Sequence, residues 1–192
     1  MKRRFARKEK RKNDDGIPLT ASDMPSLPCP VAPLVPHARG MCLLTQLVDV
    51  REEGATAETV TRRDDLFAEP DGIPAWVGVE WLAQAVAAWA GFRAAASGEA
   101  PAPGLLLGAK RYRARVPVFD FDQRIRITVT IDFVADNGVT QVSGALYAIE
   151  KHAIEKYDIG KHATAVPEDA EPLAHGSLTL YRPAAMPTLN GA

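Results

Sequence analysis

Ile73-Pro74-Ala75-Trp76-Val77-Gly78-Val79-Glu80-Trp81-Leu82-Ala83-Gln84-Ala85-Val86-Ala87-Ala88-Trp89-Ala90-Gly91-Phe92 is the stretch from which the architecture is read. Between Val77 and Phe92 only Glu80 and Gln84 are strongly polar, and their spacing of four places them on one helical face. A helix apolar on all sides is buried, in a protein core or in a bilayer. A bilayer span needs about 20 uninterrupted apolar residues. This run is shorter and carries a carboxylate, so it is read as buried against a sheet, with no stable membrane insertion. Pro74 suits a first helical turn, where its missing N–H would be unpaired anyway, and the helix should stop near Ala96, before Ser97 and Gly98.

Strand patterns surround this helix. Met41 to Val50 is apolar and branched and Ala55 to Arg63 alternates, with Glu52, Glu53 and Gly54 as a turn between them. After a loop containing Pro101, Pro103 and Gly104 come Leu105 to Val116, Arg124 to Ala135, Val139 to Ile149 and Leu173 to Tyr181. Asp136-Asn137-Gly138 is a tight-turn sequence joining the middle two. Residues 151–171 form a polar excursion to which no chemistry is assigned. One long helix among roughly six mostly antiparallel strands predicts an α+β class, a curved antiparallel sheet wrapped around one long central helix.

With 192 residues, 46% of them hydrophobic, the chain supports one ordinary domain plus tails. The net charge of -1 hides an asymmetry. Lys2, Arg3, Arg4, Arg7, Lys8, Lys10, Arg11 and Lys12 face a single acid, Glu9, and such a run cannot bury enough apolar surface to offset its ordering entropy. Pro18, Pro25, Pro28, Pro30, Pro33 and Pro36 then mark an extended arm. The expected divisions are a disordered basic and proline-rich tail at 1–33, a domain at 34–183 and a C-terminal tail at 184–192. No aromatic interleaving or basic recognition helix follows the charge run, so no nucleic-acid partner is expected. Asn13, Asp14 and Asp15 stand where a signal peptide would need an apolar stretch, and the two cysteines are too few for a disulfide framework. The expectation is a cytoplasmic protein with Cys29 and Cys42 free.

Several chemistries are excluded by what the chain lacks. There is no Gly-x-Ser-x-Gly elbow, phosphate-cradling glycine loop or dinucleotide fingerprint. His152, His162 and His175 lack ligand spacing, so no metal and no cofactor are expected. A carboxylate in an apolar helix is either a structural ion-pair member or an acid placed for proton transfer. Burial favours its neutral form, whereas the nearby helix N-terminus favours the anion. Gln84 is placed to orient that carboxyl or to satisfy a loop carbonyl.

Pro36-His37 with Met41-Cys42-Leu43-Leu44, followed by Ile73 through Gln84, resembles the hotdog-fold 3-hydroxyacyl-acyl carrier protein dehydratases. Within that superfamily it is most similar to the dehydratase subunits of aryl polyene gene clusters. Gly108-Ala109-Lys110-Arg111-Tyr112 and His175 through Pro183 fit the same pattern, so the resemblance spans about residues 34–183. It implies a hotdog fold and dehydration of an acyl thioester, with Glu80 in the position of the catalytic acid. Fatty-acid-synthesis dehydratases carry a histidine in a Gly-His-Phe-Pro segment before the helix. Here Leu66-Phe67-Ala68 stand there, and His37 is the upstream histidine left to act as base.

The expected mechanism has His37 removing the α-proton and Glu80 donating to the departing hydroxyl. Amides near Ala75, Trp76 and Val77 would polarise the carbonyl. Phe67, Trp76, Trp81 and Gln84 complete the expected substrate surroundings, with a tunnel along the helix for the acyl chain. Expected partners are an acyl carrier protein or other acyl thioester, and a second hotdog subunit in a homodimer or heterodimer. An acyl thioesterase and a non-catalytic partner subunit are the alternatives, since fold does not fix function.

Overall fold

The structure is a computed structural model and describes residues 26–38, 40–149 and 170–182. The basic run at 1–16, most of the polar excursion and the tail at 184–192 lie outside the described residues.

In chain order the elements are β1 (Cys29–Pro30), a 3-10 turn (Ala32–Leu34), β2 (Gln46–Arg51), β3 (Gly54–Val60) and β4 (Ile73–Pro74). A second 3-10 turn (Ala75–Val77), α1 (Gly78–Ala96), β5 (Leu105–Ala114), β6 (Val118–Phe119), β7 (Arg124–Val134), β8 (Val139–Ile149) and β9 (Ala174–Tyr181) follow. Seven strands form one antiparallel sheet in the order β1-β2-β3-β7-β8-β9-β5, and β4 pairs with β6 as a short ribbon. The six long strands and the one long helix are those the sequence pattern predicts.

The sheet's inner face is set by alternation along each strand. Ile125, Ile127, Val129 and Ile131 on β7 are buried, as are Val142 and Leu146 on β8 and Ala174 and Leu178 on β9. Against them α1 lays Trp81, Leu82, Ala85, Val86 and Ala88. Leu82 is fully buried, and a leucine so placed contributes about 1.5–3 kcal/mol over an exposed one. Gly138 (φ 86) closes the Ala135–Val139 turn in the left-handed region that its lack of a side chain permits.

Two expectations are corrected. Pro74 does not open the helix: it is extended (φ -52, ψ 135), pairs with Val118 and precedes the 3-10 turn. Its fixed φ suits an extended strand as well as a helical start, and the cross-strand contact decides. The boundary at residue 34 is also too late. Cys29 and Pro30 pair with Leu47 and Gln46, and Val31 is fully buried. The 3-10 turn at 32–34 packs on α1 at Gly91, where an added Cβ would collide with the Leu34 carbonyl.

Candidate active site

Residues 35–45 run from the first 3-10 turn to β2 and are held on two sides. From the helix, Gln84 Oε1 accepts the Leu43 N–H at 2.8 Å while Gln84 Nε2 donates to the Met41 carbonyl at 2.7 Å. From the sheet, Thr59 Oγ1 donates to the Leu43 carbonyl at 2.8 Å. Gln84 is fully buried with its amide paired on both sides, so Met41 and Leu43 are anchored to the helix although they lie outside regular structure.

That segment carries His37 to the helix. His37 Nε2 stands 3.5 Å from Glu80 Oε1, and Gln84 Nε2 donates to the same oxygen at 2.9 Å. The His37 and Glu80 side chains each keep 29% of their surface exposed, so the pair is open to solvent where the apolar helix suggested a sealed interior. His37 Nδ1 is buried with no hydrogen-bond partner among the described residues. A histidine and a carboxyl in contact, with the carboxyl oriented by an amide, are equipped to exchange protons with one bound molecule. Among the described residues no cluster of histidine, cysteine or carboxylate side chains could hold a metal ion. Cys29 and Cys42 are free, and burial raises both thiol pKa values.

The residues expected around the substrate divide into two groups. Phe67 and Trp76 pair edge to face, with ring centroids 5.3 Å apart, and Trp76 is 58% exposed. Trp76 stands in the 3-10 turn that leads into α1, four residues before Glu80. Val77 and Trp81 are instead core residues, Trp81 packing on Phe119 at 4.8 Å. Ala75 is not a free donor, because its N–H is taken by the Pro117 carbonyl at 3.0 Å. Among the described residues, α1 packs directly onto the sheet through Trp81, Leu82, Ala85 and Ala88. A cavity of about 660 Å³ lies on the sheet's other face and is lined by none of the expected site residues.

Two features had no role assigned from sequence. Tyr112 on β5 donates its hydroxyl to the Ala75 carbonyl at 2.6 Å, tying the sheet edge to the 3-10 turn that leads into α1. Burial pushes its pKa up to about 12. Glu58 and Arg126, both buried, pair across β3 and β7 with Gln46 Nε2 donating to Glu58 Oε2 at 2.9 Å. The apolar-polar alternation of residues 54–60 gives no sign that Glu58 is enclosed.

A curved antiparallel sheet around one long helix that presents a carboxyl is the arrangement of the hotdog class. The family model "ApeP-like: ApeP dehydratase" matches residues 29–190, and the chain belongs to that family of dehydratases. The resemblance to aryl polyene dehydratase subunits is thereby borne out. Among solved structures, the dehydratase heterocomplex ApeI:P from Xenorhabdus doucetiae matches with a TM-score of 0.65 and 25% identity, over 81% of this chain and 91% of that one. A hypothetical thioesterase protein with coenzyme A from Streptococcus pneumoniae matches with a TM-score of 0.46 and 7% identity, over 71% of this chain and 83% of that one. No curated protein matches the sequence. No helix among the described residues is long and apolar enough to cross a membrane.

Proposed function

We propose that this chain, joined to a second hotdog subunit, removes water from 3-hydroxyacyl thioesters borne on an acyl carrier protein, giving trans-2-enoyl thioesters for fatty acid or polyene biosynthesis. The observation that carries this reading is the 3.5 Å contact between His37 and Glu80, with Gln84 fixing the carboxyl.

Dehydration needs a base at the α-carbon and an acid at the neighbouring β-hydroxyl. His37 Nε2 takes the α-proton, the electron pair becomes the new C=C bond, and the β C–O bond breaks as Glu80 protonates the hydroxyl, which leaves as water. His37 then holds one proton more and Glu80 one fewer, and a transfer between them resets the pair. Both groups approach from one side, so proton and hydroxyl leave from the same face of the substrate. The exposed Trp76–Phe67 pair supplies an apolar wall beside them.

Room for the acyl chain comes from the second subunit. β5 is the outer strand of the sheet, and Leu105, Leu106 and Leu107 are 50%, 41% and 57% exposed on it. An unpaired apolar edge of this kind is a template for another chain, and the ApeI:P match is itself to a heterocomplex.

The test is turnover of 3-hydroxyacyl carrier-protein thioesters by the purified complex, followed by enoyl thioester absorbance. Glu80→Gln and His37→Ala are each expected to lower turnover by about 10²–10⁴ with the complex intact. Release of free thiol from saturated acyl thioesters without enoyl product would mean a thioesterase. Full activity in Glu80→Gln would move the chemistry to the other subunit.

A further inference from the structure

The register between β5 and β9 breaks after Lys110, which faces Ser177, and resumes at Arg113, which faces His175. Arg111 and Tyr112 therefore stand together opposite the single residue Gly176. Two residues against one form a bulge, which bends a strand and re-aims a side chain that strict alternation would send to the other face. Arg111 takes up the irregularity with a left-handed backbone (φ 53). Tyr112 is turned toward the helix side, where its hydroxyl donates to the Ala75 carbonyl at 2.6 Å.

Two glycines leave the space for this side chain. A Cβ on Gly176 would come within 2.8 Å of the Tyr112 Cα and 3.1 Å of its ring, and a Cβ on Gly78 would collide with the hydroxyl itself. Gly78 is the first residue of α1, and its N–H also bonds the Ala75 carbonyl. One carbonyl thus receives both the Tyr112 hydroxyl and the first amide of the helix, while the Ala75 N–H is held by the Pro117 carbonyl at 3.0 Å. Glu80 follows in the first turn of α1, and a hydrogen-bonded turn has no soft joint to absorb a displacement of its first residue. Burial pushes the Tyr112 pKa up to about 12, so the hydroxyl stays a donor at neutral pH.

We infer that Tyr112 is a positioning residue: by holding the Ala75 carbonyl it sets where α1 begins, and so where Glu80 meets His37. The inference rests on the proposed function for the role of Glu80. Proton transfer depends on close placement, and a misplacement of about 1 Å costs up to about 10²-fold in rate.

The experiment uses the intact complex with Tyr112→Phe, which removes the hydroxyl, and Gly78→Ala, which keeps it but drives a methyl against it. Trp89→Phe is the control, because Trp89 Nε1 donates to the Arg51 carbonyl at 3.0 Å and its loss takes one bond of the same kind from the far half of α1. Initial rates with a 3-hydroxyacyl thioester are measured well below the thermal unfolding midpoint of each complex. Tyr112→Phe and Gly78→Ala should each lower kcat by about 10–100-fold with KM within about twofold of wild type, and Trp89→Phe should keep its kcat. Tyr112→Phe/Gly78→Ala should be no slower than the slower single variant, since the methyl then occupies the place of the missing hydroxyl. Wild-type kcat in Tyr112→Phe, an equal loss in Trp89→Phe, or losses that multiply in the double variant overturns the positioning role, and with Glu80→Gln inactive the dehydratase reading survives. Full activity in Glu80→Gln beside a lowered kcat in Tyr112→Phe overturns Glu80 as the acid and leaves Tyr112 as the residue that places the turn.

Discussion

Gln84 Nε2 lies 2.9 Å from Glu80 Oε1 and 2.7 Å from the Met41 carbonyl, so one buried amide nitrogen serves both the acid and the segment that brings His37 to it. Gln84→Ala leaves the Leu43 N–H and the Met41 carbonyl unpaired and opens a small cavity. It should destabilise the fold by about 2–4 kcal/mol in urea denaturation, with turnover falling as well. An unchanged denaturation midpoint would show that water replaces the amide.

Glu58→Ala removes the carboxylate facing buried Arg126 and half-exposed Arg124. Breaking a buried pair from one side strands the other charge, at a cost of about 3–5 kcal/mol. The pair lies on the sheet face opposite His37 and Glu80, so kcat of whatever fraction remains folded should be close to wild type. A stability change under about 1 kcal/mol would mean that Arg126 is satisfied without Glu58.

Tyr112 gives a pH dependence with a defined sign. Its folded pKa is raised from the ordinary 10.0 to about 12, so between those values the folded chain keeps a proton that the unfolded chain has lost. Its contribution is whole below pH 10 and is lost as the pH rises toward 12. Urea midpoints measured across that window should fall more steeply for wild type than for Tyr112→Phe. At neutral pH the variant should lose about 0.5–1.5 kcal/mol for the missing bond to Ala75.

Gly91→Ala sets two effects against each other. Alanine favours the helix by about 1 kcal/mol. The new methyl, however, meets the Leu34 carbonyl, a backbone atom with little freedom to yield. Overpacking of this kind costs about 1–3 kcal/mol, so net destabilisation is expected. Activity should drop further than stability, because the turn that moves also leads to His37. A rise in melting temperature would show that the turn shifts freely.

Glu80 and Gln84 were legible because polarity inside an apolar helix is rare enough to stand out, and a spacing of four makes two such residues neighbours. His37 emerged through resemblance and elimination, and its contact with Glu80 depends on a fold-back of residues 35–45 that has no hydrophobic period. Glu58 was illegible because a polar residue in an alternating strand is normally read as solvated, and its partner Arg126 is 68 residues away. Residues 29–33 read as part of an arm because a two-residue strand between prolines carries no periodicity. The sequence pattern also favoured Trp81 as a tunnel wall, whereas Phe119, remote in sequence, draws it into the core.

Leu105, Leu106 and Leu107 bear on how the molecule must be made. Water meets three leucines on a rim that has no strand neighbour on that side among the described residues, so in isolation copies should cling to one another and come out of solution. Synthesis together with the second subunit proposed above, in matched amounts, is the simplest remedy, and the rim then governs how much of the protein survives as well as what it contacts.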